Sequence, residues 1–179
     1  MDNTSIVMAM HGTPPNDYPR EELAEFFRLH SQIEMPGGPA EPASLTRYAQ
    51  LEAKVRAWPR TALNDPFHNA SQQLAIHPPS GRDGVPIQQA VGHPVLVGFS
   101  EFCAPSVTEA LEQAVATGAA QVIVVTPMMT RGGEHAEAEI PAVIAETQRR
   151  YPAVRFAYAW PFDSADIARF LAGQIARFL

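Results

Sequence analysis

The chain holds a single cysteine, Cys103, in 179 residues. No internal disulfide can form, and such a chain fits a reducing compartment such as the cytoplasm. Lysine is nearly absent: Lys54 is the only one among 13 basic residues, the rest being arginine, and the net charge is -6. An acidic chain without a basic run is a poor ligand for nucleic acid. The arginine bias points mildly toward carboxylate or phosphate recognition, because the planar fork grips such groups with two hydrogen bonds; a GC-rich genome is the favoured explanation. No apolar run approaches the roughly 18 residues of a membrane span. The start, Met1 to Ser5, lacks the basic residues of a signal peptide. Gly-Lys-Ser/Thr of the Walker type and Gly-x-Gly-x-x-Gly are missing, so no nucleotide is expected.

What remains is an ordinary globular composition, 46% apolar and 18% charged, of a size that suits one domain over residues 1–179. Four strand–helix units can be read. Ser5–Met10 is a short apolar strand, and Pro19 with Glu21 and Glu22 opens a helix with Leu23, Phe26, Phe27 and His30 on one side. Pro94–Phe99 is a second strand, followed by a helix from Pro105 and Ser106 that Gly118 stops. Gln121–Thr126 is a third strand, apolar on both faces as covered parallel strands are, and leads to a helix over Ala136–Arg150. Val154–Ala159 is the fourth. Asp163 or Ser164 then caps a last helix carrying Ile167, Phe170, Leu171, Ile175 and Phe178. Residues 35–92 break this rhythm and read as an insertion or an extended crossover, with helical stretches Ser44–Ala57 and Pro66–Ile76.

Alternating strands and helices imply a parallel sheet with helices on both faces, and ligands of such sheets sit beyond the strands' carboxyl ends. His11 follows the first strand, Glu101 the second, and Thr130 to His135 the third, so all three groups emerge at one edge. His11 precedes Gly12 and Thr13, where the backbone can turn sharply beside a mostly neutral imidazole. His135 lies in Thr-Arg-Gly-Gly-Glu-His-Ala-Glu, where Gly132 and Gly133 form a backbone nest ahead of a helix. An acidic first turn accounts for Glu137 and Glu139 but not for the histidine. Glu101, between Phe99 and Phe102, is a candidate base: apolar neighbours raise a carboxyl pKa and a metal or imidazolium lowers it. Each residue also has a structural reading, as helix cap or loop anchor. His30, His68, His77 and His93 are weaker candidates; His68 is placed to overhang the site.

Ala9–Thr13, Gly98–Phe102, Ala104–Ser106, Glu109–Leu111, Val122–Pro127, Gly132–His135 and Glu139–Pro141, in this order, resemble the class II tetrapyrrole chelatases, the sirohydrochlorin cobaltochelatase and ferrochelatase family. The resemblance covers about two-thirds of the chain and leaves out residues 35–92. It implies a three-layer α/β/α domain with a four-stranded parallel sheet in flavodoxin-like order, plus a helical insertion after the first strand–helix unit. It implies a lyase of the short type, a homodimer, inserting cobalt or iron, or nickel, into sirohydrochlorin or a related tetrapyrrole without ATP. His11 and His135 would bind the metal, with Glu101 as third ligand or base. Thr13, Arg131, Gly132 and Gly133 would meet the tetrapyrrole, Arg131 and the nest gripping a ring carboxylate. Phe99, Phe102 and Met128–Met129 are candidates for facing the macrocycle, though for most of them plain core is the favoured reading. Two departures stand out: His-Gly-Thr for the usual His-Gly-Ser, and Pro14-Pro15 with the long insertion behind it. Two other readings stay open. One is a metal or tetrapyrrole carrier without turnover. The other is a histidine-dependent phosphotransfer enzyme, although Met10 stands where that chemistry wants an arginine.

Overall fold

The structure, a computed structural model, describes residues 3–34, 41–76 and 85–179. Four strands, β1 (Thr4–Met10), β2 (Val95–Phe99), β3 (Gln121–Val125) and β4 (Arg155–Tyr158), form an all-parallel sheet in the order β2-β1-β3-β4. This is the flavodoxin-like order expected. The central strand β1 is buried on both faces, which is why it carries almost no polar residue. Ile6, Met8 and Met10 point into one core layer and Val7 and Ala9 into the other.

The first layer lies under α1 (Arg20–Glu34), α2 (Pro42–Arg56) and α3 (Pro66–Ala75). Phe26, Leu29, Leu51, Val55 and Ala75 from these helices pack with Val95, Val97 and Phe99 of β2. The second lies under α5 (Val107–Ala116) and α6 (Ile140–Arg150), where Ala110, Leu111, Ala114 and Ile140 meet Val122 and Val124. The result is the expected three-layer α/β/α stack, with a helical insert between α1 and β2. The insert also contains α4 (Ile87–Val91), which the apolar spacing alone did not show. The ends of the insert, residues 35–40 and 77–84, lie outside the described residues, and His77 with them.

Local signals behave as elementary chemistry dictates. Ser106 caps α5 in a reciprocal box: its hydroxyl accepts from Glu109 N at 3.1 Å and its own N–H donates to Glu109 Oε2 at 2.6 Å. Asp163 caps α7 (Ser164–Ile175) by accepting from Ala165 N. Among the described residues no helix is long and apolar enough to cross a membrane.

Three readings need correction. In α1 the buried stripe runs through Phe26 and Leu29, not Phe27, which is 46% exposed. A step of about 100° per residue places Leu29 on the flank of Phe26 that faces the sheet and Phe27 on the other. The stripe of α7 is not covered: Phe170, Leu171, Ile175 and Phe178 are all exposed. Finally, the helix expected over Ala136–Arg150 opens one residue earlier with a π-helical turn, His135–Glu139, before α6 begins. Its wider bond runs from Ile140 N–H to His135 C=O.

Candidate metal centre

Because the strands run parallel, the segments after β1, β2 and β3 leave the sheet at one edge. Register fixes how they meet: Met10 pairs with Phe99, and Met8 with Val125. The two loops after β1 and β2 then continue the ladder for one step. Ser100 N–H donates to Met10 C=O at 2.8 Å and Glu101 N–H to His11 C=O at 2.8 Å. Gly12, at φ +99°, lies so close beneath Glu101 that a Cβ there would stand 1.9 Å from the Glu101 carbonyl oxygen. Only glycine permits that approach.

This contact brings the side chains together. His11, Glu101 and His135 each offer one ligand atom, and the three atoms lie within 4.8 Å of one another. His11 Nε2 stands 3.8 Å from Glu101 Oε2. The two imidazoles meet edge to face, with centroids 4.5 Å apart and planes at 87°. Two neutral imidazoles with a carboxylate are a donor set for borderline divalent metals such as cobalt, iron, nickel or zinc. The site is a mouth rather than a buried cage: the His11, Glu101 and His135 side chains are 46%, 31% and 19% exposed.

The partners of the ring nitrogens decide which lone pairs are free. His11 Nδ1 lies 2.7 Å from the Gly12 carbonyl, and a carbonyl only accepts, so Nδ1 carries the proton. His135 Nδ1 lies 2.6 Å from Glu139 Oε2, and an ionised carboxylate likewise only accepts. Both rings therefore keep Nε2 as the free donor. Sequence reasoning assigned Glu139 to the helix dipole, whereas in the structure it holds the His135 ring. The signal was present in the spacing, since His135 and Glu139 stand one turn apart, where helical side chains meet.

The remaining candidates separate. The Thr13 hydroxyl is turned inward, donating to Asp65 Oδ1 at 3.1 Å. Arg131 rests over the Trp160 ring at 5.6 Å, and Trp160 Nε1–H donates to Met128 C=O. Gly132 (φ +94°) and Gly133 are exposed, with open space where a side chain would stand. Phe99 and Phe102 are core residues, 0% and 6% exposed, and have no face left for a macrocycle. Met128 and Met129 are half-buried and line an open groove of about 460 Å³ with Pro127, Thr130, Gly133, Ile167 and Leu171. His68 stacks on Phe99 at 5.1 Å, and burial holds its pKa below the ordinary value of 6.5. His30 stacks against Phe26, and His93 is exposed. Cys103 is fully buried, and burial pushes its thiol pKa up.

The loop carrying Glu101 also reveals residues that no local pattern announced. Cys103 N–H bonds back to Glu101 C=O at 2.6 Å across Phe102, whose φ is +56°. This three-residue turn places a bulky residue in the left-handed region, which costs energy. Its carbonyls are held from behind. Arg56 donates to Cys103 C=O at 2.9 Å and to Ser100 C=O at 3.2 Å. Arg60 donates to Phe102 C=O at 2.6 Å and pairs with buried Asp65.

Comparison with known proteins agrees with the residue pattern. The sirohydrochlorin cobaltochelatase of Priestia megaterium is 40% identical over 63 residues, 35% of this chain and 20% of its own length. Among solved structures, the sirohydrochlorin chelatase SirB of Bacillus subtilis subspecies spizizenii in complex with cobalt is similar at 16% identity and TM-score 0.41. That likeness covers 89% of this chain and 43% of SirB. SirB from Bacillus subtilis with Fe3+ gives 18% identity and TM-score 0.42, covering 89% and 40%. The chain thus spans a fifth of the length of the curated relative and about two-fifths of the SirB chains. The model of the CbiX family matches residues 86–176, half of the sequence and the part that carries Glu101 and His135, and the chain belongs to the CbiX family.

Proposed function

We propose that the protein inserts a divalent cobalt or iron ion into sirohydrochlorin or a closely related tetrapyrrole, without a nucleotide. The observation that carries this reading is the convergence of three ligand atoms, from loops far apart in sequence, within 4.8 Å of one another at an open edge of the sheet. Names of the relatives agree: a sirohydrochlorin cobaltochelatase, and SirB chelatases in complex with cobalt or with Fe3+.

The metal is the substrate. His11 Nε2, His135 Nε2 and a Glu101 oxygen hold it on the solvent side, leaving coordination positions open to the ring. As ring nitrogens replace water on the ion, two pyrrole N–H protons must leave; the Glu101 carboxylate accepts one and solvent the other. Glu139 keeps the His135 ring oriented and its Nε2 lone pair exposed. The groove with Met128, Met129 and Gly133 offers an apolar bed for the macrocycle, and Arg131 lies in the segment bordering it. Binding happens in the cytoplasm and in a homodimer on this reading. The uncovered apolar residues Phe170 and Ile175 of α7, which do not line that groove, support the second copy as partner.

The test is insertion of Co2+ or Fe2+ into sirohydrochlorin, followed by absorbance, for wild type, His11→Ala and His135→Ala. Rate above the uncatalysed reaction in the wild type and its loss in both variants is the expected result. Full rate in both variants overturns the assignment, and stoichiometric binding without acceleration makes the protein a carrier. Sedimentation of wild type against Phe170→Asp, expected to pass from dimer to monomer, tests the assembly.

A further inference from the structure

The connection between α2 and α3 places an ion pair deep in the molecule. The Asp65 side chain is fully buried and that of Arg60 is 10% exposed. A buried pair of this kind costs desolvation energy that its own attraction offsets only when the remaining hydrogen-bonding positions are filled. Here they are. The four terminal N–H groups of Arg60 go to Asp65 Oδ2, to Thr13 C=O at 2.8 Å, to Val55 C=O at 2.8 Å and to Phe102 C=O at 2.6 Å. Asp65 Oδ1 accepts from the Thr13 hydroxyl at 3.1 Å and from His68 N–H at 2.8 Å, the latter capping α3. The Cys103 thiol lies 3.7 Å from Asp65 Oδ2 and 3.5 Å from Thr13 C=O.

These bonds share a destination. Thr13 stands two residues after His11, and Phe102 directly follows Glu101. One guanidinium therefore grips the two loops whose side chains converge at the sheet edge, from the side opposite their tips. The turn at Phe102 is strained (φ +56° on a non-glycine residue) and persists only if its surroundings over-determine it. Metal–ligand bonds tolerate displacements of only about 0.2 Å. A backbone clamp one or two residues away is placed to set that tolerance.

We infer that Arg60 and Asp65 are positioning residues, which hold the His11 and Glu101 loops at metal-binding separation. This assigns the α2–α3 connection a direct part in the metal centre, and it rests on the reading that His11 and Glu101 bind the ion. Lysine cannot replace Arg60, because its ammonium lacks the planar fork that reaches Thr13, Val55 and Phe102 together. Asparagine at 65 keeps the helix cap but removes the charge that fixes the guanidinium.

The experiment is titration of the full chain with Co2+, reading affinity and the visible spectrum of the bound ion, which reports its coordination geometry. Arg60→Lys and Asp65→Asn are compared with Leu51→Ala, a core deletion in α2 that removes packing but no hydrogen bond to either loop. Circular dichroism and thermal melts accompany each variant. Folded Arg60→Lys and Asp65→Asn proteins should bind Co2+ at least tenfold more weakly and with a changed spectrum. Leu51→Ala should melt earlier yet keep the wild-type affinity and spectrum. Should either pair variant fail to fold, Thr13→Val, which deletes only the hydroxyl given to Asp65, carries the comparison with a threefold or greater loss expected. Wild-type cobalt binding in the folded variants overturns the inference, and so does an equal loss in Leu51→Ala. Wild-type binding in His11→Ala would instead overturn the metal-site reading beneath it.

Discussion

Gly12 offers a sharp test of how the loops carrying His11 and Glu101 fit together. Alanine at this position meets two separate penalties. The first is conformational: a φ of +99° lies beyond the left-handed well that other residues visit at a cost of roughly 1–2 kcal/mol. The second is a collision. The new Cβ would stand 1.9 Å from the Glu101 carbonyl oxygen, whereas ordinary contact begins at 3.4 Å, so that oxygen must retreat by about 1.5 Å. It accepts the Cys103 N–H, and the same residue's N–H donates to His11 C=O. A shift of that size breaks both bonds, at about 1 kcal/mol each. The total is about 3–4 kcal/mol. Gly92 is the natural control, because it has φ +70° and nothing within 4 Å of an added Cβ. Alanine there should cost only about 1 kcal/mol of left-handed strain. Urea denaturation of the two variants measures the difference, and cobalt titration should show weaker binding in Gly12→Ala alone. Equal destabilisation by the two substitutions would refute the close-approach argument.

Other expectations follow from the same contacts. Glu139→Ala leaves His135 Nδ1 without its acceptor; because Glu139 is half exposed, water substitutes in part, and cobalt affinity should fall about tenfold, read by titration at fixed pH. His68 has its pKa lowered chiefly by burial, so the folded state resists a charge that the unfolded chain accepts. Stability is therefore fully present above pH 6.5 and declines as pH falls from there through the lower folded value. His68→Phe keeps the stacking on Phe99 and should flatten that part of a stability–pH curve. Tyr158, whose pKa burial raises to about 12, donates to Ala136 C=O at 3.1 Å; Tyr158→Phe should lower unfolding free energy by about 1 kcal/mol in the same denaturation assay.

Much of this was legible before any coordinates. Strands came from short apolar runs such as Ser5–Met10, and the edge at which His11, Glu101 and His135 converge came from their places directly after strands in a parallel sheet. The phase of α1 was misjudged because Phe27 is apolar and adjacent to Phe26, and hydrophobicity alone does not say on which side of Phe26 the stripe continues. Asp65 and Arg60 were invisible for a different reason. Their partners, Thr13, Phe102 and Cys103, lie about 40 or more positions away in the chain, and mostly offer backbone carbonyls, which every residue possesses. No side-chain pattern announces such a bond. The bare face of α7 shows the opposite limit: an apolar stripe predicts that a helix is covered, but not by what.

The π-helical turn at His135–Glu139 has a consequence for how this site tolerates change. A turn wound this way holds a surplus residue relative to the regular helix that follows. Remove one residue between His135 and Ile140, and the backbone can close into an uninterrupted α-helix with little change in length. The buried stripe of α6, anchored by Ile140 and Thr147, would stay seated on the sheet. The wide turn already takes one residue more than an α turn to come round, so the imidazole would keep nearly its present direction about the helix axis and still face His11. Deletion of Glu137 or Ala138, both exposed, should thus yield sound, well-packed molecules in which His135 and Glu139 stand three apart and still meet, and the extra residue is slack that the chain can lose without turning one part of the helix against the other.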